Sequence, residues 1–387
     1  MVHRPNSGKY IKNTVSGEAV NAYLPAPLPP VPPLEMECIY PLLDQANLAI
    51  GRLDGISITV PDPSLFLYMY VRKEAVLSSQ IEGTQSTLSD LLMYENEEAV
   101  GVPIDDVIEV SNYVAAMEYG QQRIKEDFPL SLRLIKEMHE ILLQKGRGAG
   151  KQPCEFRKSQ NWIGGTRPGN AAFVPPPQEQ VLDLLSDLEK FLHDEKGKVP
   201  ALIKAALAHV QFETIHPFLD GNGRLGRLLI TFILCVEGIL QAPLLYLSLY
   251  FKKNKNDYCK HLQHVRETGD WEEWLQFFLK GIIETANQAV DTVRNVLTLL
   301  NEDRKKIESV GRTAASTLTV HHYFLRAPIT DSKKIEKNCD LSLPTVNSAL
   351  KNLLSLNIVK EITGHSRNKI YVYTQYLKIM SDGIEPN

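Results

Sequence analysis

Twelve positions, His216 to Arg227, hold a histidine, a carboxylate, a glycine-flanked turn and two arginines, in the run IHPFLDGNGRLGR. Leu225, Leu228, Leu229, Phe232 and Val236 recur at helical spacing, so a helix is expected to begin near Asn222. Its open N-terminus then falls on Gly221, Asn222, Gly223 and Arg224. Unpaired backbone N–H groups and the helix dipole make such an end an anion site, and the glycines remove side chains that would hold a phosphate off. Arg224 and Arg227, three residues apart, share one stripe and can both reach a phosphate chain with forked hydrogen bonds. Asp220 is a hard oxygen donor of the kind that holds Mg²⁺ together with substrate phosphates. His216, on the preceding loop, can take a proton from an attacking hydroxyl, a role worth about 10²–10⁴-fold in rate.

Two other motifs compete for the same letters and fail. Gly221 to Gly226 spells G-x-G-x-x-G, the dinucleotide fingerprint, but a helix and the His216-Pro217 turn precede it where that motif needs a strand. The loop Gly146 to Lys151 resembles a phosphate-binding P-loop with the wrong spacing, and Gln152 stands where Ser or Thr is required. Outside the cluster, His209 lies on an apolar helix face and reads as a core histidine. His261 and His264 have a spacing that metal sites use, with no third ligand suggested, and read as surface residues.

The elements that must position the cluster are helices. Residues 36–54 show helical spacing through Leu42, Leu43, Ala46 and Ile50, ending at Asp54-Gly55, and a second helix is expected from Ser64 to Glu82, closed by Gly83. An amphipathic helix between Pro129 and Leu143 precedes a long glycine- and proline-marked excursion. Its apolar residues, Trp162, Ile163, Phe173 and Val174, point to an ordered, hairpin-like flap. Two more stripes follow, Val181 to Leu192 and Leu202 to Phe212, and helices continue to about Ile307. Ahead of all this, the proline-dense residues 23–33 are expected to wrap the surface as an extended arm.

From about residue 312 the character changes. Short helices at Thr317 to Leu325, Asp331 to Asn338 and Pro344 to Leu356 precede two β-like runs, Ile358 to Ile362 and Lys369 to Tyr373, joined at Gly364 to Asn368. That is the order of a winged helix-turn-helix, with Pro344 to Leu356 as recognition helix. Between Lys305 and Met380 twelve Lys and Arg face five Asp and Glu, a modest basic footprint compatible with DNA or with a protein partner. Lys351 is the one basic residue of the recognition helix, so Lys333, Lys334, Arg367 and Lys369 would touch phosphate with little base readout. The chain divides as a 1–35 arm, a 36–110 helical region, a 111–308 catalytic domain and a 309–380 winged helix.

Composition narrows the class. With 387 residues, 43% hydrophobic and 23% charged, the chain is globular, and a net charge of −4 excludes wholesale nucleic-acid coating. Five cysteines are scattered singly, without a C-x-x-C pair, which reads as reduced and cytoplasmic. No signal-type apolar stretch opens the sequence, and the strongest apolar run, LLITFILCVEGIL, is interrupted by Glu237 and Gly238, so no membrane span is expected.

IHPFLDGNGRLGR fits the H-P-F-x-D-G-N-G-R-x-x-R signature of Fic-domain adenylyltransferases at every specified position, and the chain resembles that family. FRKSQNWIGGTRPGNAAFVPPP is similar to the family's target-docking flap. KEAVLSSQIEGTQSTLSDLL carries Ser78 and Glu82-Gly83 in the S/T-x-x-x-E-G/N pattern of its inhibitory helix, here N-terminal to the catalytic motif. The similarity spans roughly Tyr23 to Leu300. Cys154 departs from it, standing where relatives often carry glycine before Glu155-Phe156-Arg157.

The resemblance implies a mainly α, Fic-type helical bundle with a short β-hairpin flap, followed by the winged helix. It implies a protein adenylyltransferase that moves AMP from ATP to a Tyr, Ser or Thr hydroxyl of a target protein, with self-modification as a variant. His216 would be the base, and Asp220 would hold Mg²⁺. Gly221, Asn222 and Gly223 would cradle the phosphates, with Arg224 on the β- and Arg227 on the γ-phosphate. Trp162, Ile163 and Gly164 would align the target in β-fashion. Glu82 would pair with Arg227 and restrain it, and relatives of this layout imply a homodimer. Two alternatives stay open: a DNA-binding regulator whose helical domain senses a nucleotide, and a Glu82-dependent enzyme that removes AMP.

Overall fold

The computed structural model describes residues 7–57, 63–95, 104–194, 199–365 and 367–384. The first six residues of the expected arm lie outside the described residues, as does Ser366 in the last expected turn. Residues 8–25 are not an extended arm: β1 (Gly8–Val15) and β2 (Glu18–Pro25) pair antiparallel with Val15 opposite Glu18. Ser16 and Gly17 make the two-residue turn with φ of 51° and 82°, the handedness that suits strand twist. A lone two-stranded hairpin is marginal in water. Here it is supported from outside, because Val15, Val20 and Ala22 form a small apolar cluster with Val174 of the later flap, separate from the main core.

The remainder is mainly helical. First come α1 (Tyr40–Ser57), α2 (Pro63–Ile81), α3 (Leu88–Glu95), α4 (Ile104–Lys125) and α5 (Leu132–Leu142). After the flap follow α6 (Val181–Leu192), α7 (Ala201–Ile215), α8 (Asn222–Val236), α9 (Ser248–Lys253), α10 (Lys255–Thr268) and α11 (Trp271–Glu308). α1 runs past the Asp54-Gly55 stop because it lies along α11, whose packing overrides a local breaker. α4 is continuous across residues 110 and 111, so the boundary drawn there falls inside one helix.

α7 is buried on every side from Leu202 to Ile215, which makes it the axis of the bundle rather than an amphipathic wall. It packs against α6, α8 and α11, and Trp274 of α11 donates its indole N–H to Ala206 O at 3.0 Å. Two chain features therefore converge at its C-terminal end: the turn into α8 and the base of the flap.

The C-terminal segment comprises α12 (Ala314–Arg326), β3 (Ile329–Asp331), α13 (Ser332–Cys339), α14 (Leu343–Ser355), β4 (Lys360–Glu361), β5 (Ile370–Val372) and α15 (Thr374–Met380). α12 to α14 fall where the sequence put them, whereas α15 was not expected. β3, too short for any periodicity to announce, joins the hairpin in a sheet of order β3-β5-β4. Apolar packing is continuous from this segment into the bundle, and the Tyr373 hydroxyl donates to buried Asp303 of α11 at 2.7 Å.

Candidate active site

α7 stops at His216, whose φ of 48° and ψ of 61° are left-handed while its N–H still reaches Phe212 O at 2.9 Å. Pro217 then bars further helix. Asn222 closes the connecting loop on itself. Its Oδ1 accepts from Phe218 N and its Nδ2 donates to Phe218 O, both at 2.9 Å. Gly221, at φ 78°, turns the chain into α8, and Asp220 Oδ1 accepts from Gly221 N at 2.6 Å. The result is the expected helix start, with the first N–H groups of α8 facing a cavity of 330 Å³ that Glu82, Glu109, Arg147, His216 and Asp220 also line. Larger clefts of 570 and 790 Å³ lie elsewhere and gather neither the glycine turn nor its arginines.

His216 is kept neutral. Burial, helped by the positive charges of Arg266 and Arg157, pulls its imidazole down to about 4, the state a proton acceptor needs at neutral pH. Its Nδ1 is buried, and the residue lines the cavity.

Around the cradle each arginine has a carboxylate partner. Arg227 Nη2 lies 2.7 Å from Glu82 Oε1, and the same guanidinium bonds Ser78 Oγ at 2.8 Å and Ser78 O at 3.0 Å. Arg227 is buried, whereas the Glu82 side chain is 43% exposed at the cavity edge. Burial alone would raise the Glu82 carboxyl, but Arg227 outweighs it and holds the carboxyl below its usual range. Gly83 closes α2 at φ 103°, aiming Glu82 across the bundle so that its carboxylate lies against the Gly223 Cα; a side chain there would clash with it. Arg224 sits between Glu109 Oε2 at 3.4 Å and Asp220 Oδ1 at 3.5 Å, and its Nε is buried with no hydrogen-bond partner. An orphaned guanidinium N–H beside bare helix N–H groups fits a phosphate. Asp220 is 39% exposed, so one carboxylate oxygen remains for a Mg²⁺ ion held jointly with phosphates.

The flap is anchored at both ends. Ile163 and Phe173 exchange backbone bonds of 2.8 and 3.1 Å, and Gly164 and Gly165 turn between them at φ of 67° and 72°. Of the three expected docking residues, Trp162 and Gly164 are exposed and Ile163 is half-buried; none of them lines the cavity itself. β2 backs this bridge through Tyr23 N to Val174 O at 3.0 Å, and Arg266 of α10 lies 3.8 Å over the Phe173 ring.

Several residues that hold this site carry no local signal. His139 of α5 stacks on Phe218, centroids 3.7 Å apart. It accepts from Cys154 N at Nδ1 (3.2 Å), so Nε2 carries the hydrogen and donates to Asp220 O at 3.0 Å. Burial pulls it down to about 4, and its two bonds tie the glycine turn to the loop that leads into the flap. Arg157 donates to His216 O (2.9 Å) and Ile215 O (3.3 Å), satisfying carbonyls that the end of α7 leaves open, and to Pro176 O (2.5 Å) at the far end of the flap. Glu213, whose carboxyl burial pushes up to about 7, lies against Gly226 so closely that any side chain there would collide with it. Glu109 serves Arg224 and Arg147 together, with Arg147 Nε at 2.6 Å. His209 is the core histidine expected, bonded to Gly226 O and Tyr258.

Residues 40–122 match the Fic/DOC family N-terminal region and residues 129–234 the Fic/DOC family itself. Residues 129–234 form a Fic/DOC domain, with a Fic N-terminal region ahead of it. A protein adenylyltransferase Fic of Drosophila grimshawi is 30% identical over 200 residues, 51% of this chain and 38% of the fly protein. A probable protein adenylyltransferase of Aquifex aeolicus is 27% identical over 215 residues, 55% of this chain and 60% of its own length. The chain therefore spans about two fifths to three fifths of these relatives. Among solved structures, a Fic family protein from Desulfovibrio desulfuricans has the same fold at a TM-score of 0.58, covering 90% of this chain and 97% of its own at 23% identity. Fic-1 of C. elegans follows at 0.52, with 22% identity and 67% and 73% coverage. The Fic domain thus accounts for α5 to α8 and the flap, and the Fic N-terminal region for α1 to α4.

Proposed function

We propose that this Fic protein is a protein adenylyltransferase held in a restrained state by Glu82. The observation that carries the reading is the Arg227–Glu82 pair lying directly on the glycine cradle. In the reaction, a target Tyr, Ser or Thr hydroxyl gives its proton to His216 Nε2 as its oxygen attacks the α-phosphorus of ATP. The new O–P bond forms as the bond to the β-phosphate oxygen breaks, and pyrophosphate leaves. Gly221, Asn222 and Gly223 offer backbone N–H groups to the phosphates, Arg224 steadies the β- and Arg227 the γ-phosphate. Asp220 would hold Mg²⁺, which neutralises the phosphate charge when bound. Trp162, Ile163 and Gly164 align the acceptor segment along the flap edge.

While Glu82 occupies Arg227, the γ-phosphate has no counter-charge, and ATP binds out of line. Incubation with α-labelled ATP and Mg²⁺ should label acceptor protein weakly with wild type, strongly with Glu82→Gly and not at all with His216→Ala. Intact mass of the Glu82→Gly protein with each nucleotide identifies donor and transferred group, and self-modification would show as added mass on the chain itself. Labelling by His216→Ala at the wild-type level would refute the reading.

Glu82 is 43% exposed beside the cradle, which also supports a reverse role, orienting water to release AMP from a modified protein; loss of AMP release in Glu82→Ala tests it. For the C-terminal segment we favour a winged helix. Lys333, Arg367 and Lys369 are exposed, as are Asn347, Ser348 and Lys351 on α14, a polar face suited to phosphate contacts or a partner protein. Salt-sensitive DNA shifts without any protein labelling would favour a DNA-binding regulator instead. Five free thiols support a reducing, cytoplasmic setting, and no described helix is long and apolar enough to cross a membrane. Homodimer formation is part of the same reading, tested by light scattering.

A further inference from the structure

We propose that His264, Asp270 and Glu273 form a binding site for a zinc-type divalent ion at the turn between α10 and α11, separate from the phosphate cradle. His261 and His264 stand one helical turn apart on α10, and the sequence offers them no third ligand. The fold supplies two. Gly269, at φ 71°, reverses the chain and starts α11 so that Asp270 and Glu273 return against the histidines.

One ligand atom from each of His264, Asp270 and Glu273 lies within 4.8 Å of the others. His264 Nε2 is 3.2 Å from Glu273 Oε2 and 3.9 Å from Asp270 Oδ2. Ligands bound at the ~2.0–2.1 Å of zinc sites sit about 3.3 Å apart around a tetrahedral ion, so the two spacings bracket the required edge. His261 Nδ1 lies 3.7 Å from Glu273 Oε1 but outside the three-residue group, so water, or a shift of His261, would complete the shell.

Two further observations mark this as more than a surface ion-pair cluster. His264 Nε2 is sealed from solvent and makes no hydrogen bond, despite a carboxylate on either side. Asp270 is 7% exposed, and it divides its work. Oδ1 caps α11 by accepting from Glu273 N at 3.1 Å, which leaves Oδ2 turned to the imidazole. The backbone beneath is fixed by Gly269 N to Val265 O (2.9 Å) and by Asp270 N to Thr268 Oγ1 (3.1 Å). One or two imidazoles with two carboxylates suit zinc rather than Mg²⁺ or Ca²⁺, which take oxygen ligands. Bound there, the ion would join α10 to α11 and brace Arg266, two residues on, which supports the flap through Phe173.

The test is equilibrium dialysis of the full, chelator-stripped chain against zinc chloride without Mg²⁺, with Co²⁺ as optical probe. Wild type should retain one equivalent of zinc, and Asp220→Asn should retain the same, separating this site from the cradle. His264→Ala and the conservative Glu273→Gln should each bind at least tenfold more weakly. Excess zinc should raise the melting temperature of wild type and leave both variants unmoved. The cobalt complex should show weak visible bands without the near-ultraviolet absorption of a thiolate. Failure of wild type to retain zinc, equal retention by His264→Ala and Glu273→Gln, or a thiolate spectrum from the scattered cysteines would each overturn the assignment. None of these readouts depends on nucleotide transfer, so the site stands or falls apart from the enzymatic reading.

Discussion

Replacing Glu82 is the sharpest perturbation of the Fic site. The Glu82–Arg227 contact is a 2.7 Å charge-assisted pair with one partner buried and the other 43% exposed. Breaking a fully buried pair costs about 3–5 kcal/mol, and a hydrogen bond to a charged group is worth about 1.5–3 kcal/mol. Exposure of Glu82 places the pair in the lower range. At about 1.4 kcal/mol per factor of ten, freeing Arg227 for a γ-phosphate raises the productive rate by about 10- to 150-fold. Arg227 keeps its two bonds to Ser78, so the guanidinium stays in place after the substitution. Glu82→Gly also clears the space above Gly223, whereas Glu82→Gln keeps the bulk and drops only the charge. The assay is the initial rate of label transfer from α-labelled ATP, together with nucleotide affinity by calorimetry. We expect Glu82→Gly above Glu82→Gln above wild type. A rate for Glu82→Gly within twofold of wild type, with melting unchanged, would refute the reasoning.

Other consequences can be measured separately. Because burial, Arg266 and Arg157 depress His216 to about 4, its neutral form persists well below the usual histidine range; the acid limb of the rate should fall below pH 6, and a midpoint near 6.5 would contradict the depression. Cys154 holds φ 67° in a turn whose N–H bonds His139; a non-glycine there costs about 1–3 kcal/mol, offset by the ~0.5–1 kcal/mol of extra chain entropy that glycine loses. Cys154→Gly should therefore raise urea stability by up to ~1–2 kcal/mol, and a clear loss would be the contrary result. Gly226→Ala pushes a methyl into the Glu213 carboxylate and should cost about 1–3 kcal/mol, read by denaturant unfolding. Val20→Asp places an unpaired charge in the small cluster that backs the flap; cleavage within residues 160–175 by limited proteolysis should rise while the main melting transition stays put.

The glycine turn into α8 was legible because its geometry is local. His216, Pro217, Asn222 and the glycines make their bonds within a few residues of one another, and an amphipathic run fixes where α8 starts. The mainly helical class was legible for the same reason, since a 3.6-residue period is written along one segment at a time. Hairpin β1–β2 was not, because its two strands lack the burial to stand alone and take their support from Val174, about 150 residues on. Glu109, His139 and Arg157 were equally hidden. Each acts on the cradle from 59 to 115 positions away, and a lone charge or imidazole on a helix does not name its partner until packing brings the two together.

Glu82 lies between these cases. The S-x-x-x-E-G spelling marks it by resemblance, but that Arg227 sits behind it at 2.7 Å, 145 positions later, is decided by the packing of α2 against α8. His264 shows the same division on a smaller scale: the sequence by itself determined two imidazoles one turn apart, and only the reversal at Gly269 set carboxylates opposite them. Hydrogen bonds and periodicity within a segment can be read from neighbouring letters, whereas burial and charge pairing belong to surfaces that exist only once the segments have docked.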